Sequence, residues 1–298
     1  MSATARVAAQ AKLNLTLRVL AREAGGFHQI ETVFQRLALA DLVTVRAASG
    51  RSLDTRWMGP GSAPNLGAAE QNLAWRAAEA YAAVAGWPGG FAIEIEKQVP
   101  VGGGLGGGSA DAAAVLRALD ALAVKPLGRA GLVDIAARLG ADVAFLASPS
   151  ELALAWGRGE RMLDLPPLSA APVLLIVPDF SINTAWAYGE LARQRAASPI
   201  APGAAWRSPR SLGGWGAVAA DAVNDFEAVV FTHHPALAAV KTQLAALPNT
   251  LLAMMSGSGS TLFAVQTGAA GRIGALALPA GWTTLLTSTA AQRAIEVT

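Results

Sequence analysis

Between Val101 and Asp111 the chain reads Val-Gly-Gly-Gly-Leu-Gly-Gly-Gly-Ser-Ala-Asp, with six glycines in the seven positions 102–108. Such a run is costly in backbone entropy, and it leads directly into the alanine-rich segment 112–119. Ser109 and Asp111 stand at the mouth of that segment, as residues at a helix start do. A glycine loop feeding a helix gathers backbone N–H groups and the positive dipole end around one point. With no Cβ atoms in the way, that point is an anion site, and the expected anion is a phosphate. Phosphoryl transfer to an alcohol further needs a cation and a carboxylate that orients or deprotonates the hydroxyl. Lys12 supplies a cation on an otherwise apolar stretch, and Asp142 supplies a carboxylate at a second helix start. Lysine occurs only at positions 12, 97, 125 and 241, so each has a setting to explain.

Other glycine-loop chemistries fit less well. A Walker-type loop requires Lys-Ser/Thr after its last glycine, and Ser109–Ala110 stands there instead. Gly102, Gly104 and Gly107 satisfy the dinucleotide pattern G-x-G-x-x-G. However, the preceding strand alternates Ile93 and Ile95 with Glu94 and Glu96, whereas the first strand of that fold is buried on both faces. A flexible linker is disfavoured by the helix that follows at once.

The elements that must position these groups read as follows. Residues 6–20 form a strand whose period of two puts Lys12 and Asn14 on one face, about 6–7 Å apart; a solvated polar face would read the same way. The turn Glu23–His28 presents Phe27 beside His28, and strands over 31–39 and 41–47 complete an antiparallel meander. A helix begins near Asn65, a strand covers 91–97, and the glycine loop opens a helix at 109–122. A further helix at 131–139 ends on Gly140 as a C′ glycine, and Ala141–Leu146 restarts with Asp142 in its first turn. Strands at 152–156 and 161–165 surround a Gly157/Gly159 turn, and Leu165–Pro166–Pro167 reads as a boundary. Beyond it lie a buried strand at 173–177 and a poorly patterned stretch, 191–216. A helix cap at 224–227, a helix at 237–247 and strands at 251–255 and 261–265 follow, the last two around the glycine turn 256–260. His233–His234–Pro235 has no partner at metal-ligand spacing and reads as a surface helix end. The mixture lacks a βαβ rhythm and points to two α+β domains.

At 298 residues the chain fits one large or two ordinary domains. No apolar run reaches the ~18–20 residues of a membrane helix, and the opening residues lack a signal-peptide layout. The chain has no cysteine, which excludes disulfides and thiolate metal sites. A net charge of +2 without a basic, aromatic-laced cluster gives nucleic-acid binding no support. The expectation is a cytoplasmic enzyme with no nucleic-acid or membrane partner.

Five segments occur in order: Ala11–Lys12–Leu13–Asn14–Leu15, Gly26–Phe27–His28, Pro100–Ala110, Gly140–Ala141–Asp142–Val143 and Ser256–Ser260. Together they resemble the GHMP kinase superfamily, and within it the 4-diphosphocytidyl-2-C-methyl-D-erythritol kinases. The resemblance implies a two-domain α+β fold with the active site in the interdomain cleft, residues 1–160 forming the phosphate-loop domain and 161–298 the second. It implies an enzyme that uses ATP with Mg2+ to phosphorylate the 2-hydroxyl of a cytidine-diphosphate methylerythritol in the non-mevalonate isoprenoid route, as a monomer or weak homodimer.

Carried over by position, Lys12 and Asp142 are catalytic. Pro100, Val101, Gly102, Gly103, Gly104, Leu105, Gly106, Gly107, Gly108, Ser109 and Ala110 hold ATP. Asn14 lies beside the acceptor hydroxyl, Phe27, His28 and Tyr188 grip the cytosine, and Ser256, Gly257, Ser258 and Gly259 face the substrate phosphates. No protein metal site is implied. Departures from the pattern are Gln10 for a proline, Phe27 for a tyrosine, Tyr188 across a weakly matching stretch, and Ala110 for a serine whose hydroxyl could meet phosphate or magnesium. Taken singly, Asp142 also fits a helix cap, His28 a turn residue and 256–260 a plain turn. The alternatives are a homoserine, mevalonate or sugar kinase of the same superfamily, or a nucleotide-binding regulator on its fold.

Overall fold

In the computed structural model the early alternation builds two long antiparallel strands, β1 (Thr4–Arg22) and β2 (His28–Ala48). The structure describes residues 3–23, 25, 28–60, 64–87, 89–197, 213–268 and 276–298. Residues 31–39 and 41–47, expected as separate strands, are one. Arg36 and Asp41 are buried, the first bonded to backbone carbonyls and the second paired with Lys97, and they mark no turn.

The first half of β2 pairs with β5 (Leu152–Gly157) and the second half with β4 (Gly90–Lys97). A parallel edge strand β3 (Ser52–Trp57), a short β6 (Arg161–Asp164) beside β5, and the C-terminal β11 (Glu296–Val297) on β1 complete a seven-stranded sheet. The second sheet has four antiparallel strands in the order β10 (Thr283–Ser288), β7 (Pro172–Val177), β9 (Leu262–Gln266), β8 (Thr250–Met255).

Helices α1 (Leu73–Ala85), α2 (Gly107–Leu122), α3 (Gly128–Leu139) and α4 (Ala141–Ala147) pack with the first sheet. Helices α5 (Thr184–Ala197), α6 (Trp215–Asp221), α7 (Phe226–His233) and α8 (Pro235–Ala245) pack with the second. Several expected boundaries move. Helix α1 starts after Asn72, which caps Ala74 N–H at 2.9 Å, while Asn65 makes a local turn to Gly67 N–H. Helix α2 starts at Gly107, so Ser109 and Asp111 lie inside it and no side chain caps it. Gly140 is extended (φ 160°, ψ 157°) and not left-handed, closing α3 and opening α4 in one step. Residues 191–197, expected to be irregular, continue α5, and 198–212 lie outside the described residues. His233 ends α7 and Pro235 opens α8.

One face of β1 feeds three hydrophobic clusters in turn. Ala5, Val7 and Ala9 join α1, α2 and α4; Ala11, Leu13 and Leu15 meet Val173, Leu175 and Phe263; Leu17 and Val19 meet Leu174, Phe226 and Val230. Register shifts lie between Gln10 and Lys12 and between Asn14 and Thr16, where the face changes cluster. Such bulges turn a strand and re-aim its side chains. Lys12 and Asn14 lie between the two and are buried, so the solvated-face reading of this strand is wrong.

Two buried charge sites fix the elements around that segment. The Arg36 guanidinium donates to the carbonyls of Ser148 (2.9 Å), Ser150 (3.2 Å), Phe145 (3.3 Å) and Leu146 (3.4 Å), satisfying the open C-terminal end of α4. Burial, with Arg117 nearby, pulls it down to about 9, which still leaves it charged at neutral pH. On the other side, Lys97 pairs with Asp41 and, at 2.8 Å, with Asp111. Asp41 also accepts from the backbone N–H of Gln98 (2.5 Å) and Val99 (2.7 Å). This triad ties β2, β4 and α2 together beneath the glycine loop. Burial opposes the Lys97 charge, but the carboxylates of Asp111 and Asp41 outweigh it and hold the ammonium above its ordinary value. Burial raises the Asp111 carboxyl to about 7; Lys97 draws it down and Asp41 pushes it further up.

Replacing Arg36 by Met strands the carbonyls at the end of α4, and urea unfolding should show a loss of about 3 kcal/mol. A loss under half of that would mean water substitutes for the guanidinium. For Asp111 the folded pKa lies above the unfolded value of about 4. Its contribution is therefore full at low pH and lost as pH rises from about 4 through 7. Asp111→Asn should abolish that loss, so the melting temperature of the variant relative to the parent climbs between about pH 4 and 7 and then levels off. A difference that stays flat with pH would contradict the assignment.

Candidate active site

The Lys12 side chain is 4 % exposed, and its ammonium has three acceptors: Asn14 Oδ1 at 2.7 Å, the Gly104 carbonyl at 3.0 Å and Asp142 Oδ2 at 3.2 Å. Asn14 in turn donates to Thr32 Oγ1 (2.8 Å), which donates to the Thr16 carbonyl (2.6 Å), so its amide orientation is fixed from behind. Asp142 comes from the first turn of α4 and is about one-third exposed (32 %), open to a ligand on the side away from Lys12. Residues that sequence reasoning drew from three distant segments thus meet at one ammonium.

The glycine loop is docked on both sides. Leu105 O accepts from Lys12 N–H (3.0 Å), and Gly103 O accepts from Thr261 N–H (3.1 Å). The buried Ser256 hydroxyl donates to Gly104 O (2.9 Å), which Lys12 also uses. A Cβ on Gly104, at φ +79°, would lie 2.1 Å from the Ser256 carbonyl oxygen. On Gly106, at φ +72°, it would lie 3.0 Å from Lys12 Cε. A side chain at Gly104 would collide, and one at Gly106 would crowd Lys12 and strain a left-handed backbone. The turn 256–260 is itself pinned by Asn224, whose amide donates to Met255 O and Gly257 O at 2.8 Å each, and whose Oδ1 caps Phe226 N–H (3.0 Å).

Two cavities share the loop. One, of about 400 Å³, is lined by Pro100–Ser109 together with Asn65, Asn72, Lys97 and Asp111. The other, about 410 Å³, is lined by Lys12, Asn14, Asp142, Ser109, Tyr188 and Gly257–Gly259. Gly102, Gly104, Gly106 and Ser109 belong to both. Ala110 lines neither. Its methyl is 1 % exposed in the core, and its N–H is spent on Gly106 O (2.8 Å). A serine hydroxyl at this position would start from a Cβ aimed into the core, so this departure costs the loop little.

Tyr188, on α5, stacks on His28 with ring centroids 4.4 Å apart and planes 15° apart, and meets Phe226 at 87°. Burial, with the charge of Asp142, pushes its phenol up to about 12, so it stays protonated near neutrality. Phe27 lies outside the described residues. Sequence reasoning missed Asn224 as the clamp of the second turn, Thr184, whose hydroxyl bonds Ser258 Oγ at 2.8 Å, and the triad under the loop. The alternation Ile93, Ile95, Lys97 pointed inward to the triad, because residues of one parity share one face.

A buried ammonium against a carboxylate, at the seam of a glycine-lined cavity and a second cleft, can orient an alcohol for transfer of a phosphoryl group. The model for "GHMP kinases N terminal domain" matches residues 72–149, which include the whole loop. The structure superposes on a crystal structure of a 4-(cytidine 5'-diphospho)-2C-methyl-D-erythritol kinase with a TM-score of 0.71 and 34% identity, over 88% of this chain and 90% of that one. A homoserine kinase from Cytophaga hutchinsonii, at 16% identity and a TM-score of 0.69 over 99% of this chain and 97% of its own, shares the fold. The 4-diphosphocytidyl-2-C-methyl-D-erythritol kinase of Desulfitobacterium hafniense is 38% identical over 259 residues, which are 86% of this chain and 85% of that protein. Identity at that level, over more than four-fifths of both chains, places this chain in the 4-diphosphocytidyl-2-C-methyl-D-erythritol kinase family.

Proposed function

We propose that the chain transfers the γ-phosphoryl group of ATP to the 2-hydroxyl of 4-diphosphocytidyl-2-C-methyl-D-erythritol, in the non-mevalonate route to isoprenoid precursors. The observation that carries this reading is the 3.2 Å pair of Lys12 and Asp142 at the junction of two cavities, one glycine-walled and one with aromatic rings. The loop Pro100–Ser109 receives the ATP phosphates on its backbone N–H groups. Lys12 offsets the charge that develops on the transferring group. Asp142 accepts the proton of the acceptor hydroxyl or holds that hydroxyl in line, and Asn14 fixes its position. Gly257–Gly259 close the phosphate side of the cleft.

His28 and Tyr188, with Phe27, form the cytosine grip: imidazole meets the base edge and a ring its face. Among the described residues no group of three or more His, Asp or Glu side chains is placed to hold a metal. Mg2+ fits here as a companion of the ATP phosphates, where it neutralises their charge. Each sheet with its helices forms one domain, the two share the cleft, and the enzyme works in the cytoplasm as a monomer or weak homodimer. Among the described residues no helix is long and apolar enough to cross a membrane. A homoserine, mevalonate or sugar kinase has no use for the His28–Tyr188 pair, and a nucleotide-binding regulator has no use for the Lys12–Asp142 pair.

ADP release with Mg-ATP should follow addition of the cytidine-diphosphate acceptor and not of homoserine, mevalonate or galactose; turnover with one of the latter alone would overturn the reading. Asp142→Asn should lower kcat at least about 10²-fold while the KM for ATP stays near that of the parent. A kcat that survives would remove Asp142 from the mechanism.

A further inference from the structure

The cleft that holds Lys12 contains a second cation. Arg158 sits in the tight turn between β5 and β6 and lines both that cleft and the adjoining cavity bounded by Leu20, Glu23, Glu31 and Trp156. Lys12 and Arg158 are the basic residues among the described lining of the cleft. The turn is held against the catalytic helix. Gly159, at φ +98°, lies so near that a Cβ there would be 2.5 Å from Ala141 Cβ, beside Asp142. Arg158 N–H donates to Glu160 Oε2 at 2.7 Å, which stiffens the turn.

The two cations are committed differently. Lys12 is buried and its donors go to Asn14, Gly104 and Asp142. The Arg158 guanidinium reaches across to Glu23, Nη2 at 2.5 Å and Nε at 3.1 Å, with side-chain exposures of 51 % and 26 %. An exposed pair of this kind is worth little and exchanges readily. Glu23 directly follows β1 and lines the adjoining cavity, and Arg158 lines both, so the ion pair stands where the two cavities meet. An acceptor with a diphosphate brings negative charge to a cleft that already holds Asp142 and admits ATP. A planar guanidinium matches two phosphate oxygens at once.

We propose that Arg158 is the acceptor's diphosphate-binding residue and that Glu23 occupies it until the acceptor displaces the carboxylate. The proposal rests on the cytidine-diphosphate reading of the acceptor. It makes Glu23 a competitor of the acceptor and not part of its site, which gives the two partners of one ion pair opposite effects.

The test is calorimetric titration of the full chain, saturated with the non-hydrolysable β,γ-imido analogue of ATP, using CDP and cytidine as probes. Arg158→Gln should weaken CDP about 10-fold, the size of one charge-assisted contact, and leave cytidine unchanged, with Arg158→Lys recovering part of the loss. Glu23→Gln should tighten CDP and leave cytidine unchanged. If Arg158→Gln weakens both probes equally, or Glu23→Gln weakens CDP as Arg158→Gln does, the pair is a structural staple and the proposal is overturned. Parent protein that binds cytidine as tightly as CDP also overturns it while leaving the cytosine grip intact. If the parent binds neither probe, the cytidine acceptor itself is wrong and both readings fall.

Discussion

The ammonium of a lysine side chain that is 4 % exposed must find a partner for every proton, because an unpaired buried charge costs more than a fold of this size can spare. Lys12 finds three, and each belongs to a different element: Asn14 of β1, the Gly104 carbonyl of the loop, and Asp142 of α4. Much of the cleft follows from that requirement. Asn14 must turn its oxygen to Lys12, so Thr32 takes its amide. The loop must bring a carbonyl inward, so Gly104 adopts a left-handed backbone. Asp142 must reach the same point, so α4 starts abruptly at an extended glycine and is closed at its far end by Arg36.

The glycine count of the loop answers to the chain as well as to a ligand. A Cβ at Gly102, Gly103, Gly104, Gly106 or Gly107 would collide with or crowd Ser181, Thr261, Ser256, Lys12 or Val99, respectively. Gly108 meets nothing within 4 Å, so its absence of a side chain suits the open cavity and not the packing. The loop is therefore a plug between β1 and the second sheet as much as a phosphate cradle. The second sheet reaches it through Ser256 and Thr261, which makes the cradle's shape depend on how the two sheets meet.

Much of this was legible in the sequence because the determining signals are local. Alternation located β1 and β4, the glycine turn 256–260 between two apolar runs located β8 and β9, and the glycine run followed by alanines located α2. What failed is the distinction between a polar residue that faces water and one that is buried with a partner distant in sequence. On pattern alone Lys12 and Asn14 also fit a solvated face, because the carboxylate partner of Lys12, Asp142, lies 130 residues away. Asp111 read as a helix-start residue, although it sits one turn further in and faces Lys97. Strands β3, β10 and β11 were missed because their own patterns are weak: β3 and β10 are half-exposed edges, and β11 is two exposed residues. The doubt attached to Ala110 disappears once its Cβ is seen to point into the core.

On the proposed reading, the acceptor half of the cleft carries its recognition groups already paired. His28 lies on Tyr188 at stacking distance, where a base would lie, and Glu23 holds Arg158 as a phosphate would. A nucleotide that enters exchanges ring for ring and oxyanion for oxyanion, so neither the aromatic surface nor the guanidinium is stranded in either state. An acceptor with only a hydroxyl and a carboxylate offers no ring to replace His28, and separating the stack then forfeits about 0.5–1.5 kcal/mol with nothing returned. Discrimination of this kind arises from contacts that the wrong ligand must break and cannot remake. It needs no steric barrier at the mouth of the cleft, which is consistent with an entrance framed by exposed side chains.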